Sequence, residues 1–337
     1  MEKDVILLAI ESSCDETAVA IVKNGKEIIS NVVSTQISVH SKFGGVIPEV
    51  ASRLHVENVS VVIEEALLKA NMSVDDVDAI AYTLGPGLIG SLHVGVVAAK
   101  TLAFAYNKPL LPVHHIAGHI FANRFVDDLE FPMMALVVSG GHTELVYMSD
   151  PYHFEVVGET MDDAIGEAYD KVARVLGLPY PGGPQIDRLA KEGNPSYKLT
   201  KPMNDDSYNF SFSGLKSSVL QFIDRCKRKG EEFTQADLAC SFQETALSVL
   251  VDKTVRAAVH YDVKHVVLAG GVAANSRLRE KISEEFTKTA PAIKITIPPL
   301  WCCTDNAAMI GAAGYYAYLA GKWGEYSDKA SPSMELF

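Results

Sequence analysis

Two stretches of this chain open in the same way. Residues 6–29, ILLAIESSCDETAVAIVKNGKEII, read as a strand, a small polar turn, a second strand and then a third. Residues 133–158, MMALVVSGGHTELVYMSDPYHFEVVG, repeat that order with SGGH at the first turn. Apolar runs split by Gly, Asn, Asp and Ser are hairpin signals, and an internal echo points to one structural unit used twice. After the first opening a helical stretch begins at Pro48, a strand covers 78–84, a helix covers 91–106 and a strand covers 109–113. Such alternation is the pattern of an α/β fold. The expectation is two similar lobes facing a cleft, each offering a turn to a ligand. Gly140 and Gly141 suit that role, having no side chain to block approach to the backbone.

The 337 residues, 48% of them hydrophobic, suffice for two such cores. No run reaches the roughly 18 unbroken apolar residues of a membrane span. MEKDVILLAI followed by ESSCDET lacks both the apolar length and the cleavage pattern of a signal peptide. Five cysteines without CxxC spacing give no disulfide framework. A cytoplasmic protein is therefore expected. The net charge of −12 argues against a strong nonspecific nucleic-acid binder, whose affinity comes from Lys and Arg. Two basic islands remain, RCKRKG at 225–230 and the trio Arg277, Arg279 and Lys281. Each is more often a solvated helix face than a phosphate contact.

PVHHIAGHI at 112–120 carries the strongest chemical signal. His115 and His119 stand four apart, so a helix would put both imidazoles on one face. His114 would turn elsewhere. The pair becomes a metal site only with a third ligand, and Asp305 in CCTDNAAMIG is the candidate. Its alternative role is to cap the helix that opens there. HIAGH lacks the glutamate of HExxH, so a zinc-protease reading loses its general base.

Glycine turns occur at TLGPGLIGSLHVG (83–95), LPYPGGPQID (178–187) and LAGGVAANSRLRE (268–280). Each could bring phosphate or ribose to a helix N-terminus, or could be a tight strand–helix connection. No Walker A or GxGxxG pattern occurs. Phe210 and Phe212 fit a core better than a base-stacking platform. His93, Cys302 and Cys303 read as packing residues. Asp15 in ESSCDET would be the carboxylate of an ATPase or sugar-kinase reading.

Taken together, IESSCDETAVAIV, FGGVIPEVASRLH, TLGPGLIGSLHVG, VHHIAGH, LVVSGGHTEL, GEAYDKVARVLGLPYPGGPQID, FSFSGLK, LAGGVAANSRLR and CCTDNAAMIG resemble the TsaD family in its bacterial form. The counterpart elsewhere is the catalytic subunit of the KEOPS complex. The resemblance runs from about Ile6 to Gly321. It implies a two-lobed actin-like fold, that of sugar kinases and heat-shock ATPases, with duplicated subdomains around a central cleft. The lobes are expected at 1–130 and 131–325, with 326–337 a loose tail, so that Asp305 would come from the lobe opposite the histidines. The implied reaction moves the threonylcarbamoyl group from threonylcarbamoyl-AMP to N6 of adenosine 37 in tRNAs reading codons that begin with A. AMP is released. The implied metal ligands are His115, His119 and Asp305, holding one divalent ion per chain, Fe(II) ahead of Zn(II). The implied substrate contacts are Val138, Ser139, Gly140, Gly141, His142, Asp170, Gly183, Asp187 and Asn275. Asp170 and bound water are the candidates to take the N6 proton. The implied partners are tRNA, the TsaB paralogue, the TsaE ATPase and a synthase that supplies the adenylate, with no membrane involved.

Overall fold

The computed structural model describes residues 3–203 and 205–336 and divides into two units. The first comprises Met1–Asp128 with Thr304–Phe337, the second Leu129–Cys303. This corrects the expected boundary at 325, because the closing helix belongs to the first unit.

In the first unit five strands lie in the order β3-β2-β1-β4-β5. They are β1 (Ile6–Glu11), β2 (Glu16–Lys23), β3 (Glu27–Thr35), β4 (Ala79–Gly85) and β5 (Leu110–His114). The first three pair antiparallel, while β1, β4 and β5 run parallel. Strand β1 is apolar on both faces because both are covered. Leu8 and Ile10 join Val62, Ala66, Val96 and Ala99 of helices Pro48–Ala70 and Ile89–Tyr106. Leu7 and Ala9 face the helix Ala307–Leu319. That helix packs on β1, β2, β4 and β5, and its glycines let it approach. A Cβ on Gly311 would sit 2.6 Å from the Val22 side chain, and one on Gly314 would sit 2.8 Å from Ala81. This fit of small residues to the first sheet is why 304–337 returns there.

The expected loose tail is also corrected. Ser331 N donates to Leu84 O at 2.9 Å, Gly87 N to Pro332 O at 3.2 Å, and His114 Nε2 to Met334 O at 3.0 Å. Lys100 Nζ reaches the carbonyls of Tyr326 and Asp328, and Tyr326 meets Phe104 edge-on. The segment is a strap fixed to the turn after β4. Helix Ile89–Tyr106 is long and apolar enough by composition to cross a membrane. Here it buries Leu92, Gly95, Val96, Ala99 and Ala103 against its own unit.

The second unit repeats the pattern as β10-β9-β6-β7-β8. Its strands are β6 (Met133–Val138), β7 (Thr143–Asp150), β8 (His153–Glu159), β9 (His265–Ala269) and β10 (Lys294–Thr296). Again the hairpin strands pair antiparallel and β6, β9 and β10 run parallel. The echo in the sequence is thus an echo in topology. Phe210 and Phe212 are fully buried in this unit's core, as expected of packing residues.

Candidate metal centre and substrate-contact residues

Parallel strands end on one edge of the first sheet, and the site is built there. Chain polarity brings the carboxyl ends of β1, β4 and β5 together, the usual place for function in open α/β sheets. Helix His115–Phe121 starts directly at the end of β5. One turn of it sets the His115 and His119 rings 4.7 Å apart and nearly perpendicular. His114 is turned away, as the sequence suggested. Its Nδ1 accepts the Ile116 N–H, its Nε2 holds the C-terminal strap, and burial pushes its pKa down to about 4.

Asp305 is not the helix cap. Asn306 caps Ala307–Leu319, its side-chain oxygen accepting from Met309 N at 3.1 Å. That leaves the Asp305 carboxylate to face the histidines. Its Oδ1 lies 3.1 Å from His119 Nε2 and 3.7 Å from His115 Nε2. All three ligand atoms lie within 4.8 Å of one another. Ligands at about 2 Å from one ion stand about 3–4 Å apart, so the cluster fits a cation with little movement. Two imidazoles and one carboxylate with further positions open suit Fe(II) or Zn(II). All three belong to the first unit, so the expectation of a carboxylate from the opposite lobe is not met.

The surroundings ask for positive charge. Glu11, fully buried at the end of β1, accepts from Ser13 N at 2.5 Å, Thr83 Oγ1 at 2.6 Å and His115 Nδ1 at 3.1 Å. Burial works against its charge, but the His115 ring outweighs burial and holds Glu11 below the usual carboxylate range. Burial likewise opposes a charged His115, yet Glu11 and Asp305 together push it up to about 9. Burial, with Asp305 and Asp15, pushes Glu16 up to about 10. Sequence reasoning missed Glu11, Ser13 and Thr83. The one available signal was an acidic residue closing an otherwise apolar strand.

The remaining candidates lie in the second unit. Val138 ends β6, and Ser139 Oγ closes the turn by accepting from Gly141 N and His142 N. A Cβ on Gly140, Gly141 or Gly183 would touch nothing within 4 Å, so the space where a side chain would stand is open at each. Gly166, one residue into the helix Ile165–Val175, packs on this turn, and its N–H donates to Ser139 O. Asp170 on that helix accepts from Gly182 N at 2.7 Å, and also from Gly183 N, at the start of helix Gly182–Ala190. Burial raises its pKa against those two bonds. Asp187 accepts from Ser276 Oγ at 2.9 Å. Asn275 caps the helix Ser276–Thr289, accepting from Leu278 N, and donates to Gln243. Contacts therefore link Ser139 to Gly166, Asp170 to Gly182 and Asp187 to Ser276, at the openings of three helices.

Turn 85–88 serves packing. Leu88 N donates to Ser13 O at 2.7 Å, and a Cβ on Gly87 would sit 2.5 Å from that oxygen. His93 is exposed, against expectation, while Cys302 and Cys303 are buried as expected. The trio Arg277, Arg279 and Lys281 is engaged internally. Arg277 and Lys281 pair with Glu244, and Arg279 donates to the carbonyls of Ala273 and Pro298. Arg225, Lys227 and Arg228 are exposed.

Comparison with known proteins settles the family. Residues 27–312 match the family model for TsaD, tRNA N6-adenosine threonylcarbamoyltransferase. The chain is 60% identical over 336 residues to the Bacillus subtilis protein of that name, covering 99% of this chain and 97% of the relative. It belongs to the TsaD family. A Listeria welshimeri TsaD relative is 58% identical, covering 100% of this chain and 98% of that protein.

Solved structures agree on the fold, which is actin-like. Component A of the Acidaminococcus fermentans (R)-2-hydroxyglutaryl-CoA dehydratase matches with TM-score 0.54 at 18% identity, over 95% of this chain and 99% of that one. HypF of T. kodakarensis matches with TM-score 0.66 at 16% identity, over 95% of this chain and 48% of its own.

Proposed function

We propose that this TsaD-family chain is a tRNA N6-adenosine threonylcarbamoyltransferase that draws on threonylcarbamoyl-AMP and releases AMP. The observation that carries the reading is near-full-length identity to enzymes of that name, on a chain that also assembles His115, His119 and Asp305. The donor is a mixed anhydride, already activated. The N6 lone pair attacks its carbamoyl carbon, the new C–N bond forms, and the C–O bond to phosphate breaks. AMP leaves with the electron pair, and the N6 proton passes to solvent. The acceptor is adenosine 37 of tRNAs that read codons beginning with A.

A weakly nucleophilic exocyclic amine needs alignment more than a strong base. His115, His119 and Asp305 would hold one divalent ion, Fe(II) ahead of Zn(II), to neutralise charge on donor oxygens. Val138 to His142, Gly183, Asp187 and Asn275 would hold the adenylate, the open space at Gly140, Gly141 and Gly183 letting it approach these turns closely. Asp170 is assigned to shaping the Gly182–Gly183 turn, because its carboxylate already accepts from that backbone. The same reading takes tRNA, a TsaB paralogue and a TsaE ATPase as partners, a separate synthase as donor source, and the cytoplasm as location.

The test is a reconstituted reaction with unmodified tRNA, labelled threonine, the synthase and the partner proteins. Nucleoside mass spectrometry should find N6-threonylcarbamoyladenosine at position 37, lost in His115→Ala and Asp305→Ala. Absence of product with every component present rejects the reading.

A further inference from the structure

We propose that Glu11 is a positioning residue for the metal centre, fixing the orientation and tautomer of His115 so that Nε2 presents a lone pair to the ion. The inference rests on the metal reading above and adds a residue to it. In β1, side chains alternate, so Glu11 falls on the same face as Leu7 and Ala9, toward the helix whose N-terminal approach carries Asp305. The carboxylate is 0% exposed, and its two oxygens differ in task. Oε1 takes the Ser13 N–H, which closes the turn of the β1–β2 hairpin. Oε2 takes the Thr83 hydroxyl and faces His115 Nδ1.

Beside Ser13 N and the Thr83 hydroxyl, the third polar neighbour of this carboxylate is the His115 ring, whose far nitrogen points at Asp305. A carboxylate accepts only, so the Nδ1 facing it must carry a proton. In a neutral ring that leaves Nε2 as the lone pair. Carboxylate–imidazole–metal chains of this kind set ring orientation and raise ligand basicity. The Ser13 hydroxyl, 3.1 Å from the same Nδ1, could take either role and imposes no tautomer alone. His119 offers a contrast, since its Nδ1 is buried with no hydrogen-bond partner among the described residues. The two imidazoles are therefore unequal, and His115 is the one whose Nδ1 is held by a carboxyl group.

Glu11→Gln separates this role from a purely structural one. The amide keeps an acceptor for Ser13 N but turns its NH2 toward Thr83 and His115. The Thr83 hydroxyl can accept instead of donating. The imidazole would have to accept at Nδ1 and carry its proton at Nε2, the tautomer that presents no lone pair toward Asp305.

The experiment is competition between a chromogenic chelator and apo-protein for Zn(II), with circular dichroism and urea unfolding of each variant as folding controls. Glu11→Gln should bind Zn(II) about 10–100-fold more weakly while keeping its fold. Glu11→Asp, which restores charge at a greater distance, should lie between Gln and the native residue. If Glu11→Gln does not fold, Glu11→Asp against the native chain decides, and equal affinity overturns the proposal. His115→Ala and Asp305→Ala are the reference variants. If they bind Zn(II) as tightly as the native chain, the metal reading itself fails. If they lose affinity and Glu11→Gln does not, only the role of Glu11 fails.

Discussion

Cutting the chain after Asp328 and placing alanine at Gly85 should prove to be one perturbation reached by two routes. The cut removes the hydrogen bonds Ser331 N to Leu84 O, Gly87 N to Pro332 O and His114 Nε2 to Met334 O. At roughly 0.5–1.5 kcal/mol net for each bond, and with the freed groups open to water, the loss should be about 2–3 kcal/mol. The anchors of Lys100 on Tyr326 and Asp328 remain. For a unit of this size that is a fall in Tm of roughly 5–10 °C. Gly85→Ala in the full chain places a Cβ 2.0 Å from Ser331 O and 3.0 Å from Met334 Cβ. All three of the nearest atoms belong to the strap. The clash can therefore be relieved by peeling the strap away, which caps the cost at that of the cut. In the shortened chain the same substitution should cost under about 0.5 kcal/mol, the scatter expected of independent sites. Urea unfolding of the four chains gives the coupling energy directly. If Gly85→Ala costs as much in the shortened chain as in the full one, the strap does not lie where the hydrogen bonds put it.

Three further outcomes are expected. Asp305→Ala and His119→Ala should each lower the metal that copurifies by about tenfold or more, measured by mass spectrometry of the protein's metal content, since one lost ligand leaves only two. Glu144 faces Glu159 in cross-strand register, and burial, with that like charge, pushes its pKa up to about 7 from an ordinary 4.5. The fold thus favours the neutral acid, so native stability should fall as pH rises from about 4.5 to about 7 and then level off. Glu144→Gln should remove that fall and gain about 1–2 kcal/mol on the native chain at pH 8, after discounting for partial exposure to water. A parallel pH profile for the two chains would refute it. Replacing Arg225, Lys227 and Arg228 by alanine should weaken tRNA binding and lower the salt dependence by up to about three counterions, while adenylate binding is spared. Unchanged affinity in a fluorescence titration removes that surface.

What was legible in the sequence, and what was not, follows from how far each interaction reaches. The duplicated hairpins could be read because strand periodicity and turn chemistry are local, and both openings fold as expected. His115 and His119 could be placed on one face for the same reason. Whether Asp305 or Asn306 caps the last helix could not be read, since adjacent residues both suit a cap and only tertiary packing selects one. The destination of that helix was hidden too, because Gly311 and Gly314 show their purpose only against Val22 and Ala81. The strap left no mark because its bonds at Leu84, Gly87, Ser331 and Pro332 are between backbone groups, which every residue but proline's missing N–H can make.

Glu11 is the most instructive omission. At the end of ILLAIE it looks like an ordinary polar stop to an apolar strand. Its burial is created by parts distant in sequence: Thr83 closes over it from β4, and His115 from the end of β5. A charge can be kept in such a place only if the fold delivers an opposite charge to it. The three carboxyl strand ends meet there because parallel pairing aligns them, and helix His115–Phe121 begins where β5 stops. The duplicated fold gives the second unit the same edge, where Val138 and the SGGH turn end β6. Yet the matching strand end holds Val138 where the first unit holds Glu11. One topology has thus been given a carboxylate at one strand end and an open glycine turn at the other. Under the proposed function, that division would place cation binding in the first unit and ligand recognition at the glycine turn of the second.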